Sequence, residues 1–171
     1  SSVEKGYYHH GDFASLLDIL NDDYTFVNER LARHYGIKNI TGSQFRRVTL
    51  GPDMDSRRGL LGKGAFLATS SKPDRTSPVT RGKWIMGNIL GLSPPNPPPD
   101  VPPLPPRAAD PNAKEPTMRK KMEDHRVRPD CVQCHRLMDP LGFALENFDA
   151  TGYWRATDEG SEINTSTQLF D

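Results

Sequence analysis

The chain has 171 residues, with 22 Lys+Arg against 22 Asp+Glu, and this balance excludes the strongly basic surface of a nucleic-acid binder. Hydrophobic residues make up 35%, low for a globular domain, and no apolar run approaches the ~20 residues needed to span a bilayer. The length fits one domain, or one small domain with an extension. The first residues, Ser1-Ser2-Val3-Glu4-Lys5, lack the pattern of a secretory leader, and the last, Thr167 to Asp171, are ragged. Together they suggest excision from something longer.

In chain order, Phe13, Leu16, Leu17, Ile19 and Leu20 recur at helical spacing after Asp12 and stop at Asn21-Asp22-Asp23. A second helix is expected to carry Tyr24, Val27, Leu31 and Tyr35 and to end at Gly36. Phe45 to Leu50 alternates weakly enough for a short strand or an extended loop. Leu60 to Ala68 is apolar but dotted with Gly59, Gly62 and Gly64, which weakens a helix while permitting close packing. Ser77-Pro78 is a helix start, with Ser as N-cap and Pro in the first turn, and Gly91 is the expected stop.

Between Pro94 and Pro116 stand 11 of the 16 prolines in 23 residues. Such a stretch lacks the donors for helix or sheet and is expected to be an extended strap; an SH3-type ligand is the alternative use. Pro116-Thr117 then opens a helix to about Val127, Pro129 breaks it, and Cys131-Val132-Gln133-Cys134-His135 follows. This C-x-x-C-H contains both cysteines of the chain and reads as attachment of one covalent haem c: two thiols add to the vinyl groups and the next imidazole binds iron. The cofactor would then supply apolar core that the composition lacks.

Three other uses of the motif fit less well. A structural zinc site needs four ligands, and no second pair stands at a usable spacing. A thioredoxin-like pair follows a strand, whereas Met118 to Glu123 is helical and charged. A disulfide between Cys131 and Cys134 closes too small a loop to stabilise much.

The run Tyr24 to Gly36, then Arg58-Gly59-Leu60-Leu61, Thr76 to Trp84, the strap, and Cys131 to His135 followed by Asp139-Pro140-Leu141-Gly142-Phe143-Ala144-Leu145-Glu146-Asn147-Phe148-Asp149 resemble the C-terminal part of large multidomain secreted c-type cytochromes of planctomycete type, in the uncharacterised domain families numbered 1592 and 1588. The resemblance implies a piece of a longer chain and no established reaction. It supports Cys131 and Cys134 as thioether sites and His135 as proximal ligand.

The sixth iron position separates an electron carrier from an enzyme. No Met follows Met138, which lies too close to His135 to cross the ring and is expected to be core. His34 is therefore the first choice of second metal ligand, with His125 and the upstream methionines behind it, and an open site as the alternative. His125 is better suited to a propionate contact or a helix C-terminal cation. The Asp139-Pro140 pair is expected as a turn placed to accept a hydrogen bond from His135. Arg126, Trp154 and Arg155 are candidate haem contacts, as are Arg128 and Arg136. Asp149 and Asp158 lack the spacing of a calcium loop and are expected in turns.

The expected architecture is mainly α: a helical N-terminal segment (1–93), a proline-rich linker (94–116) and a cytochrome-c-like haem-binding domain (117–171). The expected function is electron transfer outside the cytoplasm, in the periplasm or beyond, with a redox partner protein and other parts of a larger chain or complex, and without nucleic acid or a transmembrane segment. A peroxidase-like haem enzyme and a structural haem-containing subunit are the alternatives.

Overall fold

The computed structural model describes residues 17–94, 101, 104–105, 110, 112–127 and 129–169. The chain divides into two compact units, Ser1–Leu67 and Ala68–Asp171. Helices predominate among the described residues, accompanied by two short antiparallel pairs.

In the first unit, α1 (Asp18–Asn21), with Leu17 at its N-cap, falls within the expected first helix; Phe13 and Leu16 of that expectation lie outside the described residues. The expected second helix is corrected at its start. Tyr24–Val27 is a strand, β1, and only Glu29–Tyr35 is helical, α2. Aromatic and β-branched residues suit Tyr-Thr-Phe-Val to a strand, and Asn28 sets the boundary by accepting a hydrogen bond from the Leu31 N–H at 3.0 Å. Gly36 ends α2 in the left-handed conformation, φ 78°, as expected. Of the two forms expected after Phe45, a short strand or an extended loop, the chain takes the strand: β2 (Arg46–Thr49) pairs with β1 from Tyr24↔Thr49 to Val27↔Arg46.

The core of this unit gathers Val27, Ala32 and Tyr35, with Leu31, Ile37, Ile40, Val48 and Met54 against them. A 3₁₀ helix, Pro52–Arg57, brings the buried Arg57 guanidinium 4.3 Å above the Tyr35 ring. The Tyr35 hydroxyl accepts from the Gly64 N–H at 2.7 Å, where α3 (Gly64–Thr69) begins.

In the second unit, α4 (Pro78–Asn88) starts as expected: Ser77 accepts from the Thr80 N–H, and Pro78 occupies the first turn. Pro78, Arg81, Gly82, Ile85 and Met86 are buried, a stripe at helical spacing. The described part of the proline-rich stretch contains no helix or strand, and Leu104 from it packs on Met118, Met122 and Phe143. Next comes α5 (Met118–His125), capped by Thr117, whose hydroxyl accepts from the Lys120 N–H at 3.2 Å.

Pro129 begins α6 (Pro129–Phe143), so the Cys-x-x-Cys-His motif and the Asp139-Pro140 pair, expected as a turn, lie on one helix. Pro140 has no N–H to donate to the Arg136 carbonyl one turn earlier. After α6 the chain reverses, and β3 (Thr157–Asp158) and β4 (Ser161–Glu162) form a hairpin.

α4 and α6 pack backbone to backbone. A Cβ at Gly82 would overlap the Met138 carbonyl, and one at Gly142 the Pro78 carbonyl. Arg81, fully buried, completes the junction. Its Nη1 donates to the carbonyls of Leu145 and Phe148, both at 2.9 Å, and its Nη2 to Ser71 Oγ at 3.0 Å and the Asp149 carbonyl at 2.8 Å. Glu146 Oε1 stands 3.5 Å from Nη1, while its Oε2 accepts from Thr76 at 2.8 Å and Arg155 at 3.1 Å.

Two outcomes follow from this packing. Gly82→Ala gains up to ~1 kcal/mol in helix propensity, but the added carbon displaces backbone rather than a flexible side chain. Overpacking of this kind costs roughly 1–3 kcal/mol, so the variant should melt lower by calorimetry, and Gly87→Ala, with open space at its Cβ, should not.

The second outcome concerns Asp149, whose Oδ1 accepts from the N–H groups of Thr151 (2.8 Å) and Tyr153 (2.9 Å) and from the Thr151 hydroxyl (2.8 Å). Burial works against the charge, yet the hydrogen bonds from Thr151 and Tyr153 together hold the carboxyl below its usual range. Its contribution to stability is present above the unfolded-state pKa and lost as pH falls through the depressed folded value. Asp149→Ala should destabilise by about 1–2 kcal/mol near neutrality, and the deficit should shrink in acid denaturation.

Candidate functional site: the α6 motif

One helical turn places Cys131, Cys134 and His135 on a single face of α6, because residues three and four apart are neighbours on a helix. Both thiols are free and half-buried, whereas the intervening Val132 and Gln133 are exposed. Four residues beyond His135 on the same face is Asp139, fully buried. Its Oδ1 lies 2.9 Å from His135 Nδ1. With Asp139 ionised the carboxylate can only accept, so Nδ1–H donates, and in the neutral imidazole Nε2 then keeps its lone pair. The Asp139 side chain, acting from within the helix, thus meets the expectation of a hydrogen bond from His135.

The other Asp139 oxygen, Oδ2, stands 3.6 Å from Arg126 Nη1, an ion pair without a direct hydrogen bond. Arg126 caps the C-terminus of α5, where its N–H donates to the Met122 carbonyl. His125, the last residue of α5, sets its ring 5.8 Å from that of His135 at an interplanar angle of 70°. The end of α5 and the middle of α6 therefore assemble His125, Arg126, His135 and Asp139.

Other residues singled out from the sequence stand elsewhere. Arg155 donates to Asp158 Oδ1 at 2.6 Å and to Glu146, and Trp154 packs edge-on against Phe148, with ring centroids 5.1 Å apart. His34 occupies the last turn of α2 in the first unit, its ring 5.9 Å from that of Tyr35. Met138 is buried core, as expected. Arg128 lies outside the described residues.

Sequence reasoning missed the Arg81–Glu146 junction. Its signal was a lone arginine on the apolar stripe of α4. Among the described residues no group of three or more His, Cys, Asp or Glu is placed to hold a metal ion.

A cleft of about 390 Å³ is lined by Arg119, Arg126, Pro140 and Phe143 together with Ser166 to Gln168. A larger one, of about 480 Å³, lies among Arg75, Thr76, Met118, Lys121, Arg155 and their neighbours; neither is lined by the motif itself. Chemistry rather than cavity size singles out α6.

The donor set fits a covalently held haem. Two unoxidised thiols and an imidazole share a face, and that imidazole has Nδ1 engaged and Nε2 left for a metal. No described helix is long and apolar enough to cross a membrane. No curated protein and no solved structure matches the chain. A family model named PSCyt3, a protein of unknown function (DUF1588), matches residues 57–158. The match takes in Arg58 to Leu61, Thr76 to Trp84, the cysteine motif and Asp139 to Asp149, and the chain belongs to this family.

Proposed function

We propose that the chain is a c-type cytochrome domain, carrying one haem bonded through Cys131 and Cys134 and ligated by Nε2 of His135, and that it transfers electrons outside the cytoplasm. The observation that carries this is the His135–Asp139 hydrogen bond on the helix of the two free thiols. A histidine that binds metal through one nitrogen normally donates the other to a carboxylate or carbonyl. The family name points the same way.

When bound, haem supplies a one-electron couple at iron. The chain's own residues hold it. The thiols fix the porphyrin to α6, Asp139 and His125 restrict rotation of the proximal ring, and the α4–α6 junction keeps the helix in place. Arg126 is a cation beside this group; Arg155 would have to release Asp158 or Glu146 to reach a haem carboxylate. Partners are a redox protein and other parts of a larger chain or complex.

Thioether bonds survive unfolding, so protein produced in a host that matures c-type cytochromes should keep about one haem mass on the denatured polypeptide. Cys131→Ala with Cys134→Ala should remove it. A denatured wild-type chain at apoprotein mass overturns the assignment. A carrier with a strong sixth ligand should resist carbon monoxide when reduced and leave peroxide unconsumed. Rapid reaction with both would replace carrier by peroxidase-like enzyme while leaving the haem in place.

A further inference from the structure

We infer that Asp139 and Arg126 together set the reduction potential of the haem, with Asp139 as a positioning residue that acts through His135 and Arg126 as the cation that moderates it. This rests on the haem assignment above and specifies how the chain tunes that site.

The geometry supplies both halves. Asp139 is fully buried, and Oδ1 receives the Nδ1–H of His135 at 2.9 Å. A carboxylate at this distance pulls the proton toward itself and raises the basicity of the ring, so Nε2 becomes a stronger donor to a metal. Stronger donation favours the ferric over the ferrous ion and lowers the potential. His125, edge-on at 5.8 Å, restricts the ring plane, so the hydrogen bond is not lost by rotation.

The second half is Oδ2. It is buried without a hydrogen bond among the described residues, and Arg126 Nη1 stands 3.6 Å from it. A burial that leaves one carboxylate oxygen unbonded keeps its charge available to the imidazole. Arg126, about one-third exposed, draws on that charge from the opposite side. One residue thus pushes the potential down through the ring, and the other limits the push. Helix registry fixes both, because Asp139 is one turn beyond His135 on α6 and Arg126 terminates α5.

The experiment is redox titration of haem-loaded protein, wild type against Asp139→Asn, Arg126→Gln and the double variant, with Arg136→Gln as the control. Asn keeps an acceptor but removes the charge. Asp139→Asn should raise the potential by at least a tenfold change in the reduction equilibrium, about 59 mV for one electron. Arg126→Gln should lower it. Loss of any nearby cation lowers a potential through space, so the decisive comparison is the double variant. There the Arg126→Gln shift should largely vanish, while Arg136→Gln, exposed on the next residue, should shift the potential equally with or without Asp139.

An Asp139→Asn potential equal to wild type, or an Arg126→Gln shift of full size in the Asp139→Asn background, overturns the inference. If Asp139→Asn fails to fold, Asp139→Ser, which also removes the charge and keeps an acceptor, replaces it in the single and the double variant, with the same refuting results. A chain without covalent haem refutes the functional assignment instead, and the denatured mass shows this before any titration.

Discussion

The close crossing of α4 and α6 is the constraint on which the second unit depends. Two glycines, Gly82 and Gly142, let each helix rest on a carbonyl of the other, and a larger residue at either point would force the backbones apart. Such contact gains dispersion over a short length but buries little side-chain area, so it needs a second attachment. Arg81 provides it. Its guanidinium is buried only because four acceptors receive it, three of them carbonyls of the chain reversal after α6. The C-terminal end of α6 is therefore fixed on two sides, whereas the thiol-bearing end remains partly accessible.

Glu146 shows what this arrangement costs. Burial pushes its carboxyl up from the usual range, while Arg81, the Thr76 hydroxyl and Arg155 oppose the shift without cancelling it. A raised folded pKa means that the part of stability linked to this group is fully present below the unfolded value and is lost as pH rises through the folded one. The network survives because its members share partners. Arg155 also holds Asp158, and the other Asp158 oxygen accepts the Met118 N–H at 2.6 Å, so the reversal after α6 is tied to the first turn of α5.

Much of this was legible in the sequence where one residue type has one use. Ser77-Pro78 as a helix start and Gly36 as a stop required only local chemistry. Tyr24 to Val27 was misassigned because Tyr24, Val27, Leu31 and Tyr35 satisfy a helical period, while strand pairing with Arg46 to Thr49 is a contact that no local pattern reveals. Asp139-Pro140 looked like a turn because proline usually ends a helix, yet α6 continues through it to Phe143. The Arg81 cluster joins residues more than sixty positions apart, and charge counting cannot distinguish a buried arginine from a solvated one.

The extent of the site emerges when α6 is followed along one face. Cys131, Cys134, His135, Met138, Asp139 and Gly142 fall at helical spacing, and burial increases along them: the first three are half-buried, the last three buried. One stripe thus changes from chemistry to packing within three turns, and His135 stands at the border. At the buried end the glycine meets α4 directly, and at the other the stripe offers two thiols and an imidazole where a core helix would offer leucines. A planar apolar group bonded there would continue the core that the second half of the helix has already begun. For a chain with 35% hydrophobic residues, such a group would be part of the unit's packing.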